Sequence, residues 1–129
     1  MTTTTSHIDT IGLVIIPSSD QDRSIEFYVD TLGFEKRTDI PFGGDYRWVE
    51  VYPPTGTTGI ALAPPREGDP TGVQTGISLA TGDIEGTHAH LRSAGVDADA
   101  EISRMGEPVP PMFWFRDPDG NTLLVVEQP

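Results

Sequence analysis

The chain has 129 residues, no cysteine, and a formal net charge of −12 from 20 acidic and 8 basic residues. This length suits one domain, and the lack of cysteine excludes disulfides, thiolate metal sites and thiol catalysis. So few basic residues argue against nucleic acid as a partner, because binding to the phosphate backbone needs clustered lysine and arginine. The acidity could favour a cationic ligand, but we interpret it mainly as a solubilising surface.

No apolar run approaches the roughly 20 residues that are needed to span a bilayer. The first residues also lack the charged and then apolar pattern of a signal segment. We therefore expect a cytoplasmic protein without a membrane partner. Residues 1–6, mostly threonine, are expected to form a disordered tail.

The first half of the chain predicts a strand, a helix and three further strands. A buried strand is expected over residues 8–16, ended by Pro17. A helix is expected over residues 21–32, because Asp20 can cap its start and Gly33 can end it in a left-handed conformation. The strands that follow are predicted at residues 35–38, 46–52 and 59–63.

The second half repeats this order after a joint rich in proline and glycine at residues 64–72. A strand is expected at residues 73–80, followed by a helix that Asp83 caps and Gly95 ends. The later strands are predicted at residues 97–102, 112–115 and 122–127. The last two form a hairpin, in which the Asp119-Gly120 step makes the tight turn.

The two halves therefore indicate an internal duplication, with the cap Asp83 lying 63 positions after the cap Asp20. We predict an α+β fold of two βαβββ modules, module one at residues 7–63 and module two at residues 73–129. Two such modules packed about a pseudo-twofold axis would enclose a cleft, and clefts are where ligands bind.

Two motifs carry a resemblance to a known family. The first is Asp20-Gln21-Asp22-Arg23-Ser24, with Phe27-Tyr28 and Leu32-Gly33-Phe34 behind it, and the second is Phe115-Arg116-Asp117-Pro118-Asp119-Gly120-Asn121. In this order and spacing they resemble the vicinal oxygen chelate superfamily, which includes glyoxalases, bleomycin resistance proteins and extradiol dioxygenases. The resemblance implies paired modules whose mixed sheets curl around a cleft, and a homodimer.

Metal-dependent members of that family place four ligating side chains on the first and last strands of the two modules. The resemblance carries these positions to Leu13, Ala61, Gly76 and Leu124. None of these side chains can ligate a metal. We therefore expect no metal and no cofactor, and an apolar floor where the metal would lie. His88 and His90 are two apart on a predicted helix and cannot share one ion, and His7 lies beside the tail.

The strand at residues 46–52 alternates between an aliphatic face and an aromatic face. Tyr46, Trp48 and Glu50 share the aromatic face, and an aromatic wall with one carboxylate suits a flat or cationic ligand. The alternative is that Tyr46 and Trp48 pack in the core or in a dimer interface, with Glu50 exposed.

Further candidates for the cleft come from module two. Met112 and Trp114 lie on a strand whose two faces are both apolar, and core packing is the alternative for them. Arg104 lies in a loop that could cover the cleft and reach an anionic ligand, although such loops are commonly only connections.

These features favour a metal-free protein that binds a small aromatic or hydrophobic organic molecule, as antibiotic-sequestering relatives do. The alternative is a lyase, isomerase or dioxygenase that uses a displaced metal or none, with Glu50 as the general base. A structural or interaction module is a second alternative. The sequence leaves open which molecule is bound, and whether the modules pair within one chain or across a dimer.

Overall fold

The computed structural model describes residues 5–128 and confirms the duplicated order of a strand, a helix and three strands. The strands of module one are β1 (Leu13–Pro17), β2 (Glu35–Pro41), β3 (Arg47–Tyr52) and β4 (Gly59–Ala63). Those of module two are β5 (Gln74–Thr81), β6 (Asp97–Ala98), β7 (Met112–Arg116) and β8 (Thr122–Glu127). The helices are α1 (Gln21–Ile25), which continues as a π-helical segment (Glu26–Thr31), and α2 (Ile84–Ser93).

Each module forms one open, mixed sheet of four strands. Sheet one has the order β1-β4-β3-β2 and sheet two the order β5-β8-β7-β6. In both sheets the first strand runs parallel to the last strand of its module, and the remaining pairs are antiparallel. The strands β1 and β5 are therefore equivalent edge strands.

Two strands are shorter than the sequence predicts. The strand expected over residues 8–16 begins only at Leu13, because β4 begins at its partner Gly59 and offers nothing earlier to pair with. The strand expected over residues 97–102 stops at Ala98. There the side chain of Asp99 accepts the backbone N–H of Trp114 at 3.2 Å, so a carboxylate replaces the carbonyl that would continue the ladder.

The first helix contains one residue more than the second between its capping aspartate and its terminating glycine. Asp20 and Asp83 cap the two helices through their side chains, and Gly33 and Gly95 follow them with positive φ. The π-helical segment accommodates the extra residue, since the backbone N–H of Leu32 donates to the carbonyl of Phe27, five positions earlier, at 3.0 Å.

One hydrophobic core joins the two modules. Both sheets contribute the alternate residues of their central strands to it: Val49, Val51, Ile60, Leu62, Phe113, Phe115, Leu123 and Val125. Because successive side chains of a strand point to opposite sides, the other face of each sheet points away from this common core. We call these the outer face of sheet one and the outer face of sheet two.

No helix among residues 5–128 is both long enough and apolar enough to cross a bilayer. The predicted tail, residues 1–6, falls mostly outside the described part of the chain, as does Pro129 at the end of predicted module two.

Candidate functional site

The outer face of sheet one carries a carboxylate that is fixed by two aromatic donors. The indole Nε1 of Trp48 donates to Oε2 of Glu50 at 2.7 Å, and the hydroxyl of Tyr52 donates to Oε1 at 2.8 Å. The hydrogen bond to Glu50 raises the pKa of the Tyr52 phenol further above the neutral range. All three side chains meet because they lie at alternate positions of β3.

A glycine and an arginine hold Tyr52 in this place. A Cβ at Gly59 would lie 2.6 Å from two atoms of the Tyr52 ring, so only glycine leaves the ring its position over β4. On the other side, the guanidinium carbon of Arg37 lies 4.4 Å from the centroid of the same ring. The orientation of Glu50 therefore depends on β2, β3 and β4 together.

The predicted floor positions of module one lie on this same outer face. Ala61 pairs with Glu50 on β3 and with Ile15 on β1, and it is fully buried. Leu13 pairs with Gly59 and is half-buried. Neither side chain has a donor atom for a metal.

The remaining floor positions lie on the outer face of sheet two. Leu124 pairs with Trp114 on β7 and with Ser78 on β5. Gly76 is exposed, with a φ of 71°, inside an irregular stretch of β5. Neither Gly76 nor Leu124 has a side-chain donor atom for a metal. Among residues 5–128 no group of three or more histidine, aspartate or glutamate residues is placed to hold a metal ion.

The single chain does not bring the two halves of the predicted site into one cavity. A cavity of about 560 Å³, here called the outer cavity, lies on sheet one. Its lining includes Ile15, Phe42, Tyr46, Arg47 and Trp48 and, from the joint, Pro64, Pro65, Arg66, Asp69 and Pro70. A second cavity of about 830 Å³, here called the inner cavity, lies between the modules on the core side. None of the ten predicted site residues lines the inner cavity.

The other polar candidates from the sequence lie apart from the outer faces. Arg104 pairs with Glu85 of α2 at 2.8 Å, and both side chains are exposed. His88 contacts the carbonyl of Asp99 at 2.7 Å, and His90 contacts that of Thr31 at 3.0 Å. His7 is exposed. In contrast to these polar residues, Met112 and Trp114 do lie on an outer face, that of sheet two, where both are half-buried.

A buried polar network, whose partners the sequence did not predict, joins the modules. The hydroxyl of Tyr28 donates to Oδ2 of Asp117 at 2.9 Å, across 89 positions of the chain. Asn121 donates to the same oxygen and to the carbonyl of Pro17, each at 2.9 Å. Burial and then the nearby Asp117 carboxylate raise the pKa of the Tyr28 phenol far above its ordinary value. The two motifs that carry the family resemblance therefore contact each other.

Comparison with known proteins agrees with this architecture. The family model described as the Glyoxalase/Bleomycin resistance protein/Dioxygenase superfamily matches residues 7–125. The uncharacterized protein YetH of Bacillus subtilis (strain 168) is 30% identical over 127 residues, which cover 93% of this chain and 99% of YetH.

Two solved structures are similar over nearly their whole length. A member of the same superfamily from Sphaerobacter thermophilus DSM 20745 is 38% identical, with a TM-score of 0.86, covering 94% of this chain and 98% of that one. TnmS3, an antibiotic binding protein from Streptomyces sp. CB03234, is 30% identical, with a TM-score of 0.82, covering 97% of this chain and 100% of TnmS3.

Proposed function

Because this chain belongs to the glyoxalase/bleomycin resistance protein/dioxygenase superfamily, we propose that it binds a small aromatic or hydrophobic organic molecule without a metal. The observation that carries the proposal is the outer face of sheet one, where Trp48 both lines the outer cavity and bonds to Glu50. The similarity to an antibiotic binding protein supports a role in sequestration. Sequestration needs a complementary surface and no catalytic group.

The exposed side chains around the outer cavity suit a flat apolar ligand. Phe42 and Tyr46 are 66% and 54% exposed, and the ring centroid of Phe42 lies 5.8 Å from that of Trp48. Aromatic faces left open to solvent gain from stacking on a ligand ring. The fixed carboxylate of Glu50 beside Trp48 adds an acceptor for a polar or cationic substituent.

We propose further that a second copy of the chain completes the cleft, as a homodimer. Within one chain the two outer faces point away from a shared core, so Trp48 and Trp114 lie on opposite sides of it. The apolar side chains of Ile15 and Ile40 on sheet one are 62% and 53% exposed. A partner that brings its sheet two against this face would cover them and close the cleft.

Binding of a planar dye such as proflavine, followed by fluorescence titration, tests the site. Trp48→Ala should weaken binding by about 1–3 kcal/mol if Trp48 is a stacking anchor. Met105→Ala removes an exposed apolar side chain from a loop outside the outer cavity and is the matched control. Equal affinity in the Trp48 and Met105 variants would refute the proposed site.

Co-expression of two variants tests the dimer. If each cleft combines sheet one of one copy with sheet two of the other, a mixed dimer of Trp48→Ala and Trp114→Ala chains retains one intact cleft. It should bind the dye with wild-type affinity at half the wild-type number of sites. A cleft made by one chain alone leaves no intact site in the mixture, and a monomeric mass in light scattering would also exclude the shared cleft.

The metal-free part of the proposal has its own test. Protein purified without a histidine tag should contain only background metal by inductively coupled plasma mass spectrometry. A near-stoichiometric transition metal would contradict the proposal, because it would require ligands other than Leu13, Ala61, Gly76 and Leu124.

An enzyme of the same superfamily is the second candidate, and the fixed orientation of Glu50 favours it. Each carboxylate oxygen accepts one described hydrogen bond, which leaves further lone pairs for a proton on a ligand. Glu50→Gln should then abolish turnover while the affinity for the ligand persists. Unchanged turnover in this variant would remove Glu50 as the general base.

A further inference from the structure

The modules meet at two places that the duplication makes equivalent. At junction one, the segment between β1 and α1 meets the turn between β7 and β8, which spans residues 117–121. At junction two, the segment between β5 and α2 faces the turn between β3 and β4, and residues of both line the inner cavity.

The two junctions have the same pair of hydroxyl groups where the helix begins. At junction one the hydroxyls of Ser18 and Ser24 are 2.6 Å apart, and at junction two those of Thr81 and Thr87 are 2.9 Å apart. The two residues of each pair are six positions apart, and the aspartate that caps the helix lies between them in the sequence. The same local structure therefore begins both helices.

The side chains that fill the two junctions differ. Leu91 of α2 stands 63 positions after Tyr28, and Pro53 begins the turn of module one where Asp117 begins that of module two. Neither leucine nor proline can supply the hydrogen bond that links Tyr28 to Asp117. Junction one is filled, with Tyr28 and Asn121 fully buried, whereas junction two contains the inner cavity of about 830 Å³.

The inner cavity has an apolar interior. Its walls come from the core sides of both sheets and include Val14, Ile60, Ile77 and Leu79, and its base includes Phe34 and Leu91. Val14, Ile77 and Leu79 remain partly exposed, so water reaches apolar surface there. Covering that surface with an apolar ligand is favourable.

The rim provides no partner for an anion and few free polar groups. Thr81 and Thr87 bond to each other, Asp83 accepts the backbone N–H of Gly86 at 3.0 Å, and His90 contacts Thr31. No lysine or arginine is among the described residues that line the cavity. The lack of a lysine or arginine disfavours acids, and because the hydrogen bonds above already engage the rim groups, neutral molecules are the best match.

We infer that the inner cavity is a second binding site, separate from the outer faces, for a neutral and largely hydrocarbon small molecule. Its volume lies within the range of about 300–1,000 Å³ that is usual for small-molecule sites. Sheet one separates this site from the outer cavity. Of two neighbouring residues of β1, Val14 lines the inner cavity and Ile15 lines the outer cavity.

The test uses the neutral fluorophore N-phenyl-1-naphthylamine as the probe. Val14→Phe should weaken probe binding by about tenfold or more, since the new ring enters the cavity and takes up space that the probe needs. Met105→Phe also adds a ring, at an exposed residue that lines neither cavity, and should leave the affinity for the probe unchanged. Equal affinities in the two variants and the wild type would overturn the inference.

A measurement on the wild-type protein locates the probe without depending on the folding of any variant. Nuclear Overhauser effects between the probe and the methyl groups of Ile77 and Leu79 are expected. Effects confined to Trp48 and Ile15 would assign the probe to the outer face and overturn the inference, as would a wild-type protein that does not bind the probe.

Discussion

The two junctions between the modules share one backbone design and differ in what occupies them. Junction one encloses a polar network of Tyr28, Asp117 and Asn121, in which the described hydrogen bonds satisfy the buried groups. Junction two has Leu91 and Pro53 at the equivalent places and holds a cavity. The comparison shows how a duplicated scaffold can use one junction to join its halves while the other retains a cavity.

The largest expected effect comes from removing the centre of junction one. Asp117 accepts hydrogen bonds from Tyr28, from the amide of Asn121 and from the backbone N–H groups of Asp119 and Asn121. Asp117→Ala should lower the free energy of unfolding by about 3–5 kcal/mol, because it leaves several buried donors without an acceptor. Urea denaturation measures this, with exposed Asp45→Ala as the control. A loss as small as that of the control would show that the network does not join the modules.

Two leucine-to-phenylalanine substitutions compare the packed core with the inner cavity. Leu123 is fully buried in the core, and Leu79 lines the inner cavity on the neighbouring strand. Leu123→Phe should cost about 1–3 kcal/mol through overpacking, whereas Leu79→Phe should cost less than about 1 kcal/mol because the ring can enter the cavity. Thermal denaturation of both variants gives the difference. Similar losses would mean that junction two is as closely packed as the core.

A smaller change isolates the hydroxyl of Tyr28 from its ring. Tyr28→Phe keeps the ring against Phe27, whose centroid is 5.2 Å away, and removes only the donor to Asp117. The free energy of unfolding should fall by about 1.5–3 kcal/mol, the usual contribution of a hydrogen bond to a charged group. Urea denaturation of this variant beside Asp117→Ala separates the single bond from the whole network. A loss equal to that of Asp117→Ala would place the entire network on this one hydroxyl.

The smallest effect on stability is expected at an ion pair that lies outside both junctions. Hydrogen bonds from Arg47 and then from Lys36 lower the pKa of Asp39 on β2. A carboxyl whose pKa is lowered by folding stabilises the protein above its unfolded pKa of about 3.9 and loses that contribution as the pH falls through the folded value. Asp39→Asn should therefore cost about 0.2–1 kcal/mol at neutral pH.

The cost of the same variant should shrink as the pH falls through the lowered pKa of Asp39, because the wild-type carboxyl then becomes neutral too. Denaturation of both proteins across the acid range checks this. A cost that persists unchanged at low pH would show that Asp39 acts through packing or hydrogen bonding of its neutral form and not through its charge.

Much of the fold followed from patterns within single segments. The alternation of Val49 and Val51 with Trp48 and Glu50 predicted an aliphatic and an aromatic face, and the structure buries both valines completely. The errors fell where a segment depends on its neighbours. The strand predicted over residues 8–16 has no paired partner before Leu13. In the strand predicted over residues 97–102, the side chain of Asp99 accepts the backbone N–H of Trp114 in place of a backbone carbonyl.

The candidate site was less accessible to such reasoning. The residues Trp48, Glu50, Met112 and Trp114 could be assigned to strands, but the sequence did not show that the outer faces of the two sheets point away from one core. The bonds from Trp48 and Tyr52 to Glu50 follow from alternation along β3, and this signal was present in the sequence. The inner cavity had no comparable signal in the sequence. It arises at junction two, where Leu91 stands at the place that the larger Tyr28 fills at junction one.

By itself the sequence determined two βαβββ modules and the faces of their strands. These properties depend on periodicity, caps and turns, which act over a few residues. Only the tertiary structure decided that Tyr28 meets Asp117, that both sheets share one core, and that junction two stays open. Those outcomes depend on packing between segments far apart in the chain, where the volume and shape of each side chain, and not its local pattern, decide what is filled.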